Sequence, residues 1–511
     1  MVLNQLIKYH SMKRLLFIVG MFLAVGAYAQ DVLPEMQFTT SDVEAHMRFL
    51  ASDELEGRRT GSRGNNVAAR YIASWFKAYG LQTAPGAEHY YQPVPFEVVN
   101  VPQQATLQIE QTNFTSGKDF LFLSGDAVDV KTTAVFANYG WVDATTGHDD
   151  YKKLNVKGKV VFVLPGTPED QSPQTIFTVS ARKRQLAAER GAVAVIELYR
   201  VPFPWGFFVN YFGGESIRLA EPQTGNAPRI LYGFFKEPSP NPILEIQNGK
   251  KLKIALKASA GSIVPLPSQN VIGVLPGTDP VLKNEYILLS AHYDHVGMGK
   301  QGGGAYSPQD SIFNGARDNG FGTVSLLATV KALTENPPAR SVIFLAVTGE
   351  EIGLLGSRYY AENPLIPLEK TVFNLNTDAA GYNDTTNVMI VGIEHVPVRE
   401  YLEQGAAPFG LGILDDPMPE QNLFVRSDHF SFVSKGVPAI FITPAITEFD
   451  EEVTKYYHQV TDGPETINYN YLLKYCQAFA HTARIFANMP ERPFWVPDSE
   501  YESLGKALYN K

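Results

Sequence analysis

VIFLAVTGEEIGLLGS, residues 342–357, is an apolar run that ends in two adjacent carboxylates held between glycines. The run reads as a buried strand, with no polar residue alternating along it. Glu350 and Glu351 therefore put two like charges where a core strand stops. Such a pair is destabilising unless a cation or a proton offsets it.

The same texture recurs on either side. EYILLSAHYDH (285–295) and TVFNLNTDAAG (371–381) are strand-like, and GFGTVSLLATVKAL (320–333) and GLLGSRYYAEN (353–363) read as helices between them. Alternating strands and helices predict an α/β fold, with a mixed, mostly parallel central sheet and helices on both faces. Sites in such sheets form beyond the carboxyl ends of the strands. That is where the polar residues gather: His292, Asp294 and His295 after one strand, Glu350 and Glu351 after the next, Asp378 after the third.

Further out, SDVEAHMRFLA (41–51) and NNVAARYIASWFKAYG (65–80) predict two helices, the first capped by Ser41 and the second closed by Gly80. From 130 to 256 the texture becomes β-rich, with TTAVFANYGW, GKVVFVLPG and AVAVIELY as strands and SARKRQLAAERG as a helix. The expected division is 1–29 as a leader, 31–129 and 257–511 as one catalytic domain, and 130–256 as an insertion. A chain of 511 residues is long enough for more than one core.

Lys13 and Arg14 precede LLFIVGMFLAVGA, and AYA at 27–29 ends it, so a secretory signal peptide is expected, with Met12 a candidate start. The expected location is periplasmic or secreted. No later stretch is apolar enough to predict a membrane span. The net charge of −10 becomes more acidic once Lys8, Lys13 and Arg14 are removed, which argues against nucleic acid as a partner. Cys476 is the only cysteine and falls in a helical pattern, as a buried structural thiol would. GMGKQG (297–302) has the spacing of a dinucleotide fingerprint but is followed by loop sequence, not a helix, and reads as a mobile loop.

His292, Asp318, Glu351, Asp378 and His458 together form a set of imidazoles and carboxylates suited to Zn²⁺. His292 and Asp294 are two apart on a strand and share a face, so Asp294 can orient the imidazole. Six ordered motifs, LLSAHYDHVG, GARDNGFGTVSLL, AVTGEEIGLLGS, NLNTDAAGY, SDHFSFVSKGVPAI and YHQVTD, resemble the zinc-dependent exopeptidases of the aminopeptidase Y and glutamate-carboxypeptidase-like family. LASDELEGRRTGSRG matches that family's usual opening, and the 130–256 segment resembles its protease-associated insertion.

The resemblance implies two zinc ions per chain, one on His292, Asp318 and Asp378 and one on His458, Asp318 and Glu351. It leaves Glu350 as the general base and makes the Asp318–Asn319 peptide bond cis; Asp294, through its hold on His292, is counted with Glu350 as catalytic. Peptide or protein N-termini are the implied substrates. Tyr457 is either a donor to the developing oxyanion or a cleft-lining aromatic. His295 and His429 fall outside this scheme, and Arg58 and Arg59 read as solvated or paired at a helix junction. A glutaminyl cyclase and a non-catalytic receptor on the same fold are the competing expectations. The intact ligand set disfavours both.

Overall fold

The structure is a computed structural model, and it describes residues 33–220, 229–248 and 251–510. The leader at 1–29 lies outside the described residues. The chain divides into two compact units, one of residues 1–92 and 269–511 and the other of residues 93–268.

In the first unit, α1 (Thr40–Leu50) and α2 (Arg63–Ala78) precede the sheet. The cap of α1 is Thr39, two residues before Ser41, because Thr39 and Asp42 close a reciprocal capping box. The strands are β1 (Ser262–Leu275, of which 269–275 lie in this unit), β2 (Tyr286–His292), β3 (Ser341–Val347), β4 (Thr371–Thr377), β5 (Asp384–Val391), β6 (Gly412–Asp415) and β7 (Ala439–Ala445). They lie in the order β1-β3-β2-β4-β7-β5-β6. The central four, β3, β2, β4 and β7, are mutually parallel. The helices between them are α3 (Gly322–Glu335), α4 (Leu355–Glu362), α5 (Arg399–Ala406) and α6 (His429–Val433), with α7 (Tyr469–Asn488) after the last strand.

Side chains of β2 and β3 alternate between two cores. Ile287, Leu289, Val342 and Phe344 join Met47, Ile72, Leu327 and Phe479 of α1, α2, α3 and α7. Leu288, Ile343 and Leu345 join Tyr360 of α4 and Phe432 of α6. Burial on both faces explains why these strands read as unbroken apolar runs. The register sets His292 opposite Val347, Ser290 opposite Asn376, and Thr377 opposite Ile442. The strands therefore end level, and the residues just past them meet at one edge.

The second unit is wider than the 130–256 expected. Ala105–Ile109 and Phe120–Ser124 hydrogen-bond into its eight-stranded sheet, so residues 93–129 belong here. Residues 257–268 do as well, since Lys253–Ala258 is one of its strands. Composition does not mark this boundary, because only strand pairing assigns Ala105–Ile109 and Phe120–Ser124 to this sheet. The unit's helix Trp205–Phe212 buries Phe208 and exposes Phe207 and Tyr211. In the first unit, the GMGKQG segment forms a two-residue strand and a 3₁₀ turn. Among the described residues no helix is long and apolar enough to cross a membrane.

Candidate metal centre

Strand ends and two loops deliver the cluster. His292 ends β2, and Glu350 and Glu351 come after β3 and Gly349, which turns the chain with φ +77°. Asp378 stands directly after β4. Asp318 lies in the turn into α3, and His458 comes from the loop before α7. The Asp318–Asn319 peptide is cis.

The ligand-type side chains form two groups that share Asp318, and a third group, His292–Glu350–Glu351, links them. His292 Nε2 lies 3.0 Å from Asp378 Oδ1 and 3.4 Å from Asp318 Oδ1. His458 Nε2 lies 3.1 Å from Asp318 Oδ2 and 3.2 Å from Glu351 Oε2. Asp318 thus offers one oxygen to each side. Within each of the sets His292–Asp318–Asp378 and His295–Asp318–Glu351–His458, the ligand-type atoms all fall within 4.8 Å of one another. His295 joins the second set although its sequence context leaves it outside. Among the described residues, none of 93–268 takes part.

Supporting contacts fix these groups. The Ser427 hydroxyl donates to Asp378 Oδ2 at 2.6 Å, and the backbone N–H groups of Arg317 and Asp318 donate to Asp462. His292 Nδ1 faces the backbone carbonyl of Asp294 at 3.2 Å, while the Asp294 carboxylate stands 3.7 Å away. The carbonyl, not the expected carboxylate, is the partner in hydrogen-bond range. Asp294 instead accepts from the Thr60 hydroxyl and from the Glu350 N–H. Arg58 is paired at the junction between the 3₁₀ turn Asp53–Arg58 and α2, and it is buried rather than solvated. Its buried guanidinium donates to the carbonyls of Leu50, Tyr293, Asn314 and Gly315, joining the loops that carry His292 and Asp318. Burial lowers it to about 10, with Asp318, Asp462, Asp294 and Glu351 pulling the other way, so it stays charged at neutral pH.

The two opening carboxylates are driven apart. Burial raises Glu350 well above the ordinary range; His292 pulls it down, while Asp378, Glu351 and Asp428 add to the rise. Burial would raise Glu351 too, but His295 and His458 outweigh it and hold that carboxyl well below the usual range. Burial and neighbouring carboxylates thus raise the proton affinity of one of the pair, while two imidazoles lower that of the other. Tyr457 stacks on His458 at 4.2 Å, and burial pushes its phenol above the ordinary range. His429 is buried beside Phe424 and Phe441 and pushed down to about 3 by that burial, outside the cluster.

Gly315 is one glycine the site requires. It has φ +63°, and an added Cβ would stand 2.3 Å from the Asp318 carbonyl oxygen and 2.6 Å from the His295 ring. Gly315→Ala is expected to destabilise the protein by about 1–3 kcal/mol from backbone strain alone. It should also weaken metal retention, because Asp318 must move. Denaturant unfolding and metal content measured together check both effects.

Residues 270–483 match the description "Peptidase family M28". That stretch carries a peptidase M28 domain, which supports a zinc-dependent exopeptidase. Leucine aminopeptidase 2 of Trichophyton equinum is 27% identical over 497 residues, covering 88% of this chain and 85% of that one. A vacuolar membrane protease of Saccharomyces cerevisiae is 38% identical over 114 residues, which are 22% of this chain and 10% of that one. Among solved structures, an aminopeptidase from Aneurinibacillus sp. strain AM-1 aligns with a TM-score of 0.54 at 21% identity, over 91% of this chain and 98% of that one, and shares the fold. The M28 match begins at Asn270, within β1, and takes in every residue of the cluster.

Proposed function

We propose that the peptidase is an exported aminopeptidase that holds two zinc ions and removes apolar N-terminal residues. The observation that carries this reading is Asp318, whose two carboxylate oxygens face two different imidazole–carboxylate pairs. A shared carboxylate between nitrogen and oxygen donors fits a pair of Zn²⁺ ions. His292, Asp318 and Asp378 would hold one, and His458, Asp318 and Glu351 the other. Bound there, zinc supplies Lewis acidity towards the scissile carbonyl and towards water.

The remaining chemistry belongs to side chains. Glu350 lines the same cavity and belongs to neither trio around Asp318. Its raised proton affinity suits a general base that takes a proton from the attacking water and gives it to the leaving amine. Asp294 holds the Glu350 backbone by accepting from its N–H at 3.3 Å. Tyr457 lines the cavity, keeps its proton at neutral pH and would donate to the oxygen that gains charge. Met389, Leu423, Phe441, Ile446 and Phe449 line the cavity too, which supports an apolar side chain as the preferred first residue. The 130–256 segment, read as a protease-associated insertion, supplies no ligand among its described residues and would tune which peptides are accepted. Export rests on the 13–29 leader pattern, and the mature chain should begin at Gln30.

Metal analysis of the purified protein, paired with hydrolysis of leucine amide and of its N-acetylated form, tests the reading. Two zinc ions and activity confined to the unblocked amide are expected. One ion per chain, or equal cleavage of the blocked compound, would overturn it.

The proton balance gives a pH prediction. Burial lowers His458, but Asp318 and Glu351 outweigh it and raise its imidazole to about 10. Below that value the metal-free imidazole carries a proton that zinc must displace. Zinc affinity should therefore rise steadily from about pH 6 to about pH 9, with protons released on binding. Metal-free stability runs the opposite way. A raised folded value stabilises fully below the unfolded 6.5 and is lost as pH climbs towards about 10. Calorimetric zinc titrations in buffers of different ionisation enthalpy, beside metal-free melting curves, check both trends.

A further inference from the structure

His295 is buried, and its Nδ1 lies 2.7 Å from Glu351 Oε1. The other oxygen of Glu351, Oε2, is the one that faces His458 Nε2. Nδ1 of His295 is 4.0 Å from Asp318 Oδ1, so Glu351 is its near partner. The residue is held in place from two sides. The backbone N–H of His295 donates to the Arg58 carbonyl, and the ring packs against Gly315, where no side chain fits. A nitrogen this close to an anionic oxygen carries the proton of the imidazole and donates it.

We propose that His295 is a positioning residue for the second zinc, holding Glu351 Oε1 so that only Oε2 is presented to the ion shared with His458 and Asp318. This deepens the two-zinc reading and rests on it. A carboxylate with one oxygen tied in a hydrogen bond binds as a single-point ligand, which leaves a position open for substrate. Without that bond the carboxylate can turn and close on the ion with both oxygens. His295 is thereby distinct from a ligand: it acts through Glu351 and touches neither metal nor substrate.

Three measurements test this on the full-length protein. X-ray absorption at the zinc edge should count two imidazoles over two ions, from His292 and His458. A third imidazole would make His295 a ligand and overturn the proposal. Zinc titration of His295→Phe should show affinity at the His458–Asp318–Glu351 site lowered about 10–100-fold with the His292–Asp318–Asp378 site unchanged, the usual effect of removing a partner that orients a ligand. His295→Asn, whose amide N–H can reach where Nδ1 stood, should recover most of that loss. Cobalt substitution gives a readout apart from activity, since a carboxylate binding through both oxygens raises the coordination number and weakens visible absorption at that site alone. Unchanged affinity and spectrum in His295→Phe, or His295→Asn no better than His295→Phe, would sink the proposal while leaving two-zinc binding by the unaltered protein intact. If the unaltered protein takes up fewer than two ions, the underlying reading fails with it.

Discussion

Glu350→Gln is expected to lower turnover by about 10²–10⁴-fold, the usual contribution of a general base. On the two-zinc reading both ions should stay bound, because neither trio around Asp318 includes Glu350, which is grouped with His292 and Glu351 alone. Glu351→Gln should fail differently. Its carboxylate faces His458 through one oxygen and His295 through the other, and a neutral amide is a weaker ligand. Its activity should recover in part when zinc is added, whereas Glu350→Gln should not respond. Zinc titration of both variants followed by leucine amide hydrolysis distinguishes them. Rescue of Glu350→Gln alone would reverse the assignment, and full activity in both would move the chemistry elsewhere.

The second large effect lies behind the cluster. Arg317 and Asp462 are buried, with side-chain exposures of 3% and 1% and an N–O distance of 3.2 Å. The guanidinium also stands 3.5 Å from the ring centre of Tyr456 and donates to the Thr466 carbonyl. Asp462 accepts from the backbone of Arg317 and Asp318, so it supports the bridging residue as well as the charge. Asp462→Ala leaves a buried cation without its counter-charge and strands two backbone donors. The expected cost is about 3–5 kcal/mol, the range for removing one partner of a buried pair. Asp462→Asn, which retains an acceptor, should lose less. Denaturant unfolding of the metal-free protein gives the comparison, and a loss under about 1 kcal/mol for Asp462→Ala would show that the pair carries little.

The parts of this molecule legible in its sequence are those governed by local pattern. The apolar runs ending at His292, Val347 and Thr377 are buried on both faces, so their periodicity survives in the residue order, and the helices between them are equally plain. Level strand ends then bring His292, Glu351 and Asp378 together without further information. The hidden features depend on partners far away in the chain. Arg58 sits among polar, glycine-rich neighbours that resemble a surface turn, and its four carbonyl partners lie as far off as residue 315. His295 looks like a second histidine after a strand until Glu351, 56 residues later, folds against it. The start of the second unit is obscured for a related reason, since only strand pairing assigns Ala105–Ile109 to one sheet rather than another.

The Arg58 guanidinium arrives from residues 53–62, far upstream of the 270–483 stretch that matches the family, yet it is buried between the two loops on which His292 and Asp318 depend. Excising the matched stretch as a minimal enzyme would leave the carbonyls of Tyr293, Asn314 and Gly315 facing a hole where a cation belongs. The stretch that matches the family model and the stretch that holds the site together are therefore different in this protein. Any attempt to shrink it, swap its domains or permute its termini has to carry the LEGRRTG segment along.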